Sequence, residues 1–346
     1  MCGVVRKRSR EALPRSYDCA MIDTTRRIAT VIYHPTKVDP DAFRSTMTEA
    51  AAQAGWSPAF YETSEDDVGQ GVATEALKVG ADLVFAAGGD GTVRAVAEAV
   101  RHSGIPLALL PADTGNLLTR NLHLTLDDMP GSALSAFTGV DRPIDIDVID
   151  IHRADGSHDE HAFCVMAGLG IDAKMIKNTD EDPKKKAGWA ACVGAIVKSL
   201  RDPDELHLQF RLDGGPPTRR TVHTLILGNC GSLPANILLM PDAVVDDGLF
   251  DLLRTRPGGL WGWFKAWFTV AWTNGVVRRT AAGRVVAGEH HDTGDLHYET
   301  VKSLEAQLSR PAEIELDGDD YGKATGFTAR IEAGALPVRV PRDAKG

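Results

Sequence analysis

The segment FAAGGDGTVR, residues 85–94, constrains this chain more than any other. An apolar run enters it, three glycines fall in four positions, and a helix-compatible sequence leaves it. Such a loop lets the backbone turn sharply and approach a ligand, and the helix behind it offers free N–H groups and a positive dipole end to a phosphate. A phosphate would repel Asp90, so its expected work is to hold Mg²⁺, water or a basic side chain beside a nucleotide. The same spacing also suits a plain glycine turn with a capping Asp, and glycine loops are weak signals by themselves.

The flanking sequence supplies the frame. IATVIYHP, SPAFYET, ADLVFAAGG and IPLALLP read as strands, and DPDAFRSTMTEAAAQAG, DDVGQGVATEALKVG and VRAVAEAVRHSG read as the helices between them. Strands alternating with helices of about 10–15 residues imply parallel pairing and a Rossmann-like, doubly wound α/β domain, with ligands beyond the carboxyl ends of the strands. After PIDIDVIDI the rhythm changes to short β-like runs such as HAFCVMAGLG, ELHLQFRL, AEIELDG and FTARIEAG. These predict a β-rich second domain, a sandwich or barrel-like unit. With 346 residues the chain exceeds what one core usually holds. The expected division is a basic disordered arm over 1–26, unless Met21 is the true start, an α/β domain over 27–145, and the β-rich domain over 146–325.

A second loop, LLPADTGNLLTRNL at 109–122, follows the fourth strand and would face the same cleft. Thr114 and Gly115 suit a turn with a hydroxyl donor. Asn116 reads equally as a phosphate or ribose donor and as the N-cap of the next helix.

Composition narrows the class. Lys+Arg 38 against Asp+Glu 48 gives a net charge of −10, which speaks against nucleic acid as a partner. Five scattered cysteines with no C-x-x-C pair support neither a disulfide framework nor a zinc knuckle, and suit a reducing cytoplasm. No apolar run reaches the roughly 18 residues of a transmembrane span. GGLWGWFKAWFTVAWTNG concentrates four tryptophans, which suits either a membrane-interface helix or one packed on the second domain. Lys184, Lys185 and Lys186 are a solvated run or a contact for anionic headgroups.

Five motifs occur in an order that resembles the diacylglycerol kinase catalytic-domain family: GGDGTVR, PADTGNLLTRNL, AGLGIDA, GNCGSLPANILLMPDAVVDDGLFDLL and ELDGD. The resemblance spans about 28–341. It implies ATP on the first domain, held by Gly88, Gly89, Asp90, Gly91, Thr92, Val93, Arg94 and Thr114, with Thr63 matching a threonine after the second strand. It implies a structural Mg²⁺ on Asp247, with Val244 and Leu249 supplying carbonyls. The family's proton acceptor lies in a D-G-E motif, here Asp317-Gly318-Asp319, so Asp319, one methylene shorter, or Asp317 would be the base. On spacing alone that tripeptide is a hairpin turn. Asp113 replaces the glycine expected before Thr114, and His34 replaces the asparagine usual before Pro35. The last strands, with 326–346, are expected to return to the first domain. The implied activity is ATP- and Mg²⁺-dependent phosphorylation of a lipid hydroxyl, diacylglycerol to phosphatidic acid, by a cytoplasmic enzyme at the inner membrane face, with a homodimer as a further expectation. The alternatives are a sphingoid-base kinase, an NAD kinase, or a weakened nucleotide- or lipid-binding regulator.

Overall fold

The computed structural model describes residues 27–112, 116–125, 128–170, 205–233, 237–240, 242–255 and 296–342. The basic arm, Thr114, Gly115, the lysine run and the tryptophan-rich stretch lie outside the described residues.

The first half is β1 (Arg27–Tyr33), α1 (Pro40–Ala54), β2 (Trp56–Glu62), α2 (Gln70–Lys78), β3 (Leu83–Gly88), α3 (Asp90–Val100), β4 (Leu107–Pro111), α4 (Leu117–Asn121) and α5 (Met129–Thr138). Strands β2, β1, β3 and β4 lie parallel in that order. Alternation along each strand sends side chains to both faces. Val31, Leu83 and Phe85 pack against Phe43 and Met47 of α1 and Phe137 of α5, while Ile32, Val84 and Ala86 pack against Ala73, Val93 and Val96 of α2 and α3. Helix α1 shows why the local sequence works. Asp39 caps its first turn by accepting the N–H groups of Asp41 and Ala42, Pro40 opens it, and Gly55 closes it in the left-handed region at φ 74°.

The second half is β5 (Val140–His152), β6 (His158–Phe163), β7 (Met166–Leu169), β8 (Leu206–Leu212), β9 (Thr218–Val222), β10 (Thr224–Gly228), β11 (Ser232–Leu233), β12 (Ile237–Leu238), β13 (Phe250–Thr255), β14 (Leu296–Val301), β15 (Ser303–Leu316) and β16 (Asp319–Val340). All its strand pairs are antiparallel except the last return. β16 runs alongside β15 and then β5, and its end pairs parallel with β4 through Val338↔Leu107. The expected return of the C-terminal strands is therefore present. Through β16, fourteen strands of both halves form one hydrogen-bonded network among the described residues. The segment HAFCVMAGLG, read as one strand, is two strands interrupted at Cys164 and Val165.

Candidate active site

The start of α3 forms one wall of the cleft. Gly89 occupies the N-cap position and no side chain caps the helix, which leaves first-turn N–H groups to other partners. The glycines differ in what they avoid. A Cβ on Gly88 would lie 2.7 Å from the Thr92 side chain and one on Gly91 would lie 2.8 Å from Asp319 Oδ2, whereas one on Gly89 would meet nothing within 4 Å among the described residues. Gly89 also has φ −79°, a conformation open to any residue. Neither the backbone nor the neighbouring atoms require glycine at 89.

Asp90 connects the two loops. Its Oδ1 accepts the N–H of Leu117 at 2.8 Å, which draws the start of α4 against α3. Of the two readings for Asn116, the cap is observed: Oδ1 accepts from Thr119 N at 3.0 Å and from Thr119 Oγ1 at 2.7 Å. Its buried Nδ2 has no partner among the described residues, and neither has the buried hydroxyl of Thr63 just beyond β2. Thr92 is buried. Val93 turns its side chain into the core and gives its N–H to Gly89 O.

The β15–β16 hairpin forms the opposite wall. Leu316 pairs with Asp319, so Asp317 and Gly318 make a two-residue turn, both with positive φ, 48° and 83°. That is the turn an Asp-Gly pair favours between twisted strands. The two carboxylates then part company. Asp317 is buried and accepts the N–H groups of Cys164 at 2.9 Å, Val165 at 2.9 Å and Met166 at 3.0 Å, the break between β6 and β7. Burial pushes its pKa up, against the pull of these N–H groups and of Arg94. Asp319, with its side chain 37% exposed, lies against Gly91 and 3.1 Å from Arg94 Nη2. Of the pair, Asp319 is the one that faces the glycine loop.

The model of the diacylglycerol kinase catalytic domain matches residues 29–149. A probable lipid kinase YegS-like of Pseudomonas fluorescens is 30% identical over 323 residues, which cover 92% of this chain and 96% of the relative. A diacylglycerol kinase of Bacillus subtilis is 25% identical over 308 residues, 86% of this chain and 91% of the relative. The chain belongs to the diacylglycerol kinase catalytic-domain family of lipid kinases. In fold it is similar to a putative diacylglycerol kinase from Bacillus anthracis, with a TM-score of 0.66 at 17% identity, covering 92% of this chain and 99% of that one.

The residues around Asp247, where the resemblance implies Mg²⁺, offer hard oxygen donors. Asp247 is exposed in the turn before β13, its Oδ1 accepts the N–H of Leu249 at 3.0 Å, and Gly248 takes φ 75°. Val244 is exposed in the same turn. Asp251 nearby is raised to about 7 by burial, then by the charges of Asp247 and Asp242. Hard oxygens and mutually repelling carboxylates suit a hard divalent cation. Among the described residues no three acidic, histidine or cysteine side chains converge on one point, so a metal here would draw on backbone carbonyls as well.

Some residues around the kinase cleft escaped the sequence reading. Asp145 accepts the N–H groups of Gly248 at 2.6 Å and Gly334 at 2.7 Å, tying the Asp247 turn to β16. Asp147 is fully enclosed with neither oxygen hydrogen-bonded among the described residues. Burial, then Asp317, Asp145 and Asp251, holds it well above the ordinary carboxylate range. The signal was present in PIDIDVIDI, whose period of two puts Asp145 and Asp147 on one strand face. Tyr321 carried no signal; it reaches Arg94 only through the fold. No helix among the described residues is long and apolar enough to cross a membrane.

Proposed function

We propose that this lipid kinase transfers the γ-phosphoryl group of MgATP to the hydroxyl of diacylglycerol, giving phosphatidic acid and ADP. One observation carries the reading: the Asp319 carboxylate stands against the glycine loop, where a base beside a phosphate site must be. Gly89 supports the phosphate site itself, because a ligand accounts for a missing side chain that the atoms of the described residues do not. The names of the relatives, lipid kinase and diacylglycerol kinase, supply the acceptor class.

In this reading the nucleotide lies on residues 27–145 with 326–346 returning to them, and the lipid lies against residues 146–325. First-turn N–H groups of α3 and the Thr63 hydroxyl face the phosphates, with Gly89 allowing close approach. Thr114 and Gly115 complete the nucleotide site. The lipid hydroxyl oxygen attacks the γ-phosphorus, its proton passes to Asp319, and the bond to the bridging oxygen of ADP breaks. Asp317 holds the hairpin that aims Asp319. Asp247, with the carbonyls of Val244 and Leu249, would hold a Mg²⁺ that tethers this turn, and that ion's contribution is structural.

Purified protein incubated with labelled ATP and, separately, diacylglycerol, a sphingoid base and NAD tests the acceptor. Label is expected in phosphatidic acid. Label confined to the sphingoid base or to NAD, or no transfer despite ATP binding, would overturn the reading.

A further inference from the structure

We propose that Arg94 is the positioning residue of the base: it clamps the Asp319 carboxylate against the glycine loop and does not serve as a nucleotide contact. The inference rests on the reading of Asp319 as proton acceptor. Arg94 lies on α3, one helical turn beyond Asp90, so it shares a face with the residue that ties the two loops together. Its side chain is 7% exposed, and Nη2 lies 3.1 Å from Asp319 Oδ2. Nη1 donates to the Tyr321 hydroxyl, and the guanidinium carbon sits 4.9 Å from the Tyr321 ring centroid. Both ends of the guanidinium fork are therefore committed to the β16 hairpin, and its Nε has no partner among the described residues.

The clamp is itself braced. Tyr321 O accepts from Arg153 Nη1 at 2.7 Å, Arg153 pairs with Asp159 at 2.7 Å, and the His161 ring packs 4.6 Å from the Tyr321 ring. The arrangement also explains how a shorter carboxylate works here. Where the resemblance leads one to expect Glu, the Asp at 319 is brought to the loop by a rigid, planar, permanently charged partner from the opposite wall. Burial alone would lower the Arg94 pKa, but Tyr321, Asp317 and Asp319 together raise it, so the guanidinium stays charged. The groups facing the clamp are Asp317 from the hairpin turn, Glu98 from α3, which acts on Tyr321, and Arg153 and His161 from the neighbouring strands.

The test compares Arg94→Ala, Arg94→Lys, Asp319→Asn and the double variant with the parent enzyme, measuring ATP affinity and kcat, with a melting temperature for each variant. Arg94→Ala is expected to lower kcat about 100-fold, since a misplaced catalytic group costs about that much. It should leave the ATP Kd within about 3-fold, so that the loss falls on kcat and not on nucleotide binding. Arg94→Lys keeps the charge without the fork and should recover only part of kcat. In the Asp319→Asn background, Arg94→Ala should have no further effect on kcat. An ATP Kd raised tenfold or more by Arg94→Ala would make Arg94 a nucleotide contact and overturn the proposal. Normal turnover by Asp319→Asn would sink the base reading itself, whereas an inactive Asp319→Asn with an Arg94→Ala kcat unchanged from the parent would sink only the clamp.

Discussion

The turn at Gly88–Gly91 and the turn at Asp317–Asp319 face each other, and glycine does opposite work in them. At Gly318 the backbone demands it: φ is 83° and the two-residue connection fixes the register of β15 against β16. At Gly89 the backbone is ordinary and a Cβ would meet no atom of the described residues within 4 Å. Gly318 is thus explained by the fold, whereas the absence of a side chain at Gly89 is explained by a ligand. The aspartates follow the same division. Asp317 serves the structure through three backbone N–H groups 151–153 residues earlier in the chain, while Asp319 meets the other wall of the cleft.

That contrast can be broken by substitution. Asp317→Ala should have the largest effect on stability, about 3–5 kcal/mol, because it leaves three N–H groups near a buried site without their acceptor. Chemical denaturation measures it, and a loss under 1 kcal/mol would remove Asp317 from its structural role. Gly89→Ala should act on the other side of the comparison. Stability stays within about 0.5 kcal/mol, as for a substitution into open space, while ATP affinity falls about tenfold, equivalent to about 1.4 kcal/mol. Calorimetric titration with ATP measures the loss. Unchanged affinity would mean that no phosphate approaches residue 89.

Much of the first half was legible because its signals are local. Asp39, Pro40 and Gly55 bound α1, and the alternation of strands and helices from β1 to β4 follows from periodicity. The Asp-Gly hairpin was legible for the same reason. Helix α5 was missed although Asp128 caps it and a proline lies in its first turn; its ten residues sit between a glycine loop and a strand that drew the reading elsewhere. The break at Cys164 and Val165 could not be read locally, because the acceptor for those N–H groups is Asp317. The Arg94–Asp319 pair spans 225 residues and becomes visible only when β16 returns from the hairpin to β4. Local chemistry named the residues of both turns, and long-range pairing decided which of them meet.

The central claim, that Asp319 is the proton acceptor beside a phosphate site, is tested most directly by single-turnover phosphoryl transfer from labelled ATP to diacylglycerol by Asp319→Asn. The account predicts an ATP Kd within about 3-fold of the parent and a transfer rate lowered by about 10²–10⁴, the usual contribution of a positioned base. Transfer at the parent rate with ATP bound normally would contradict it.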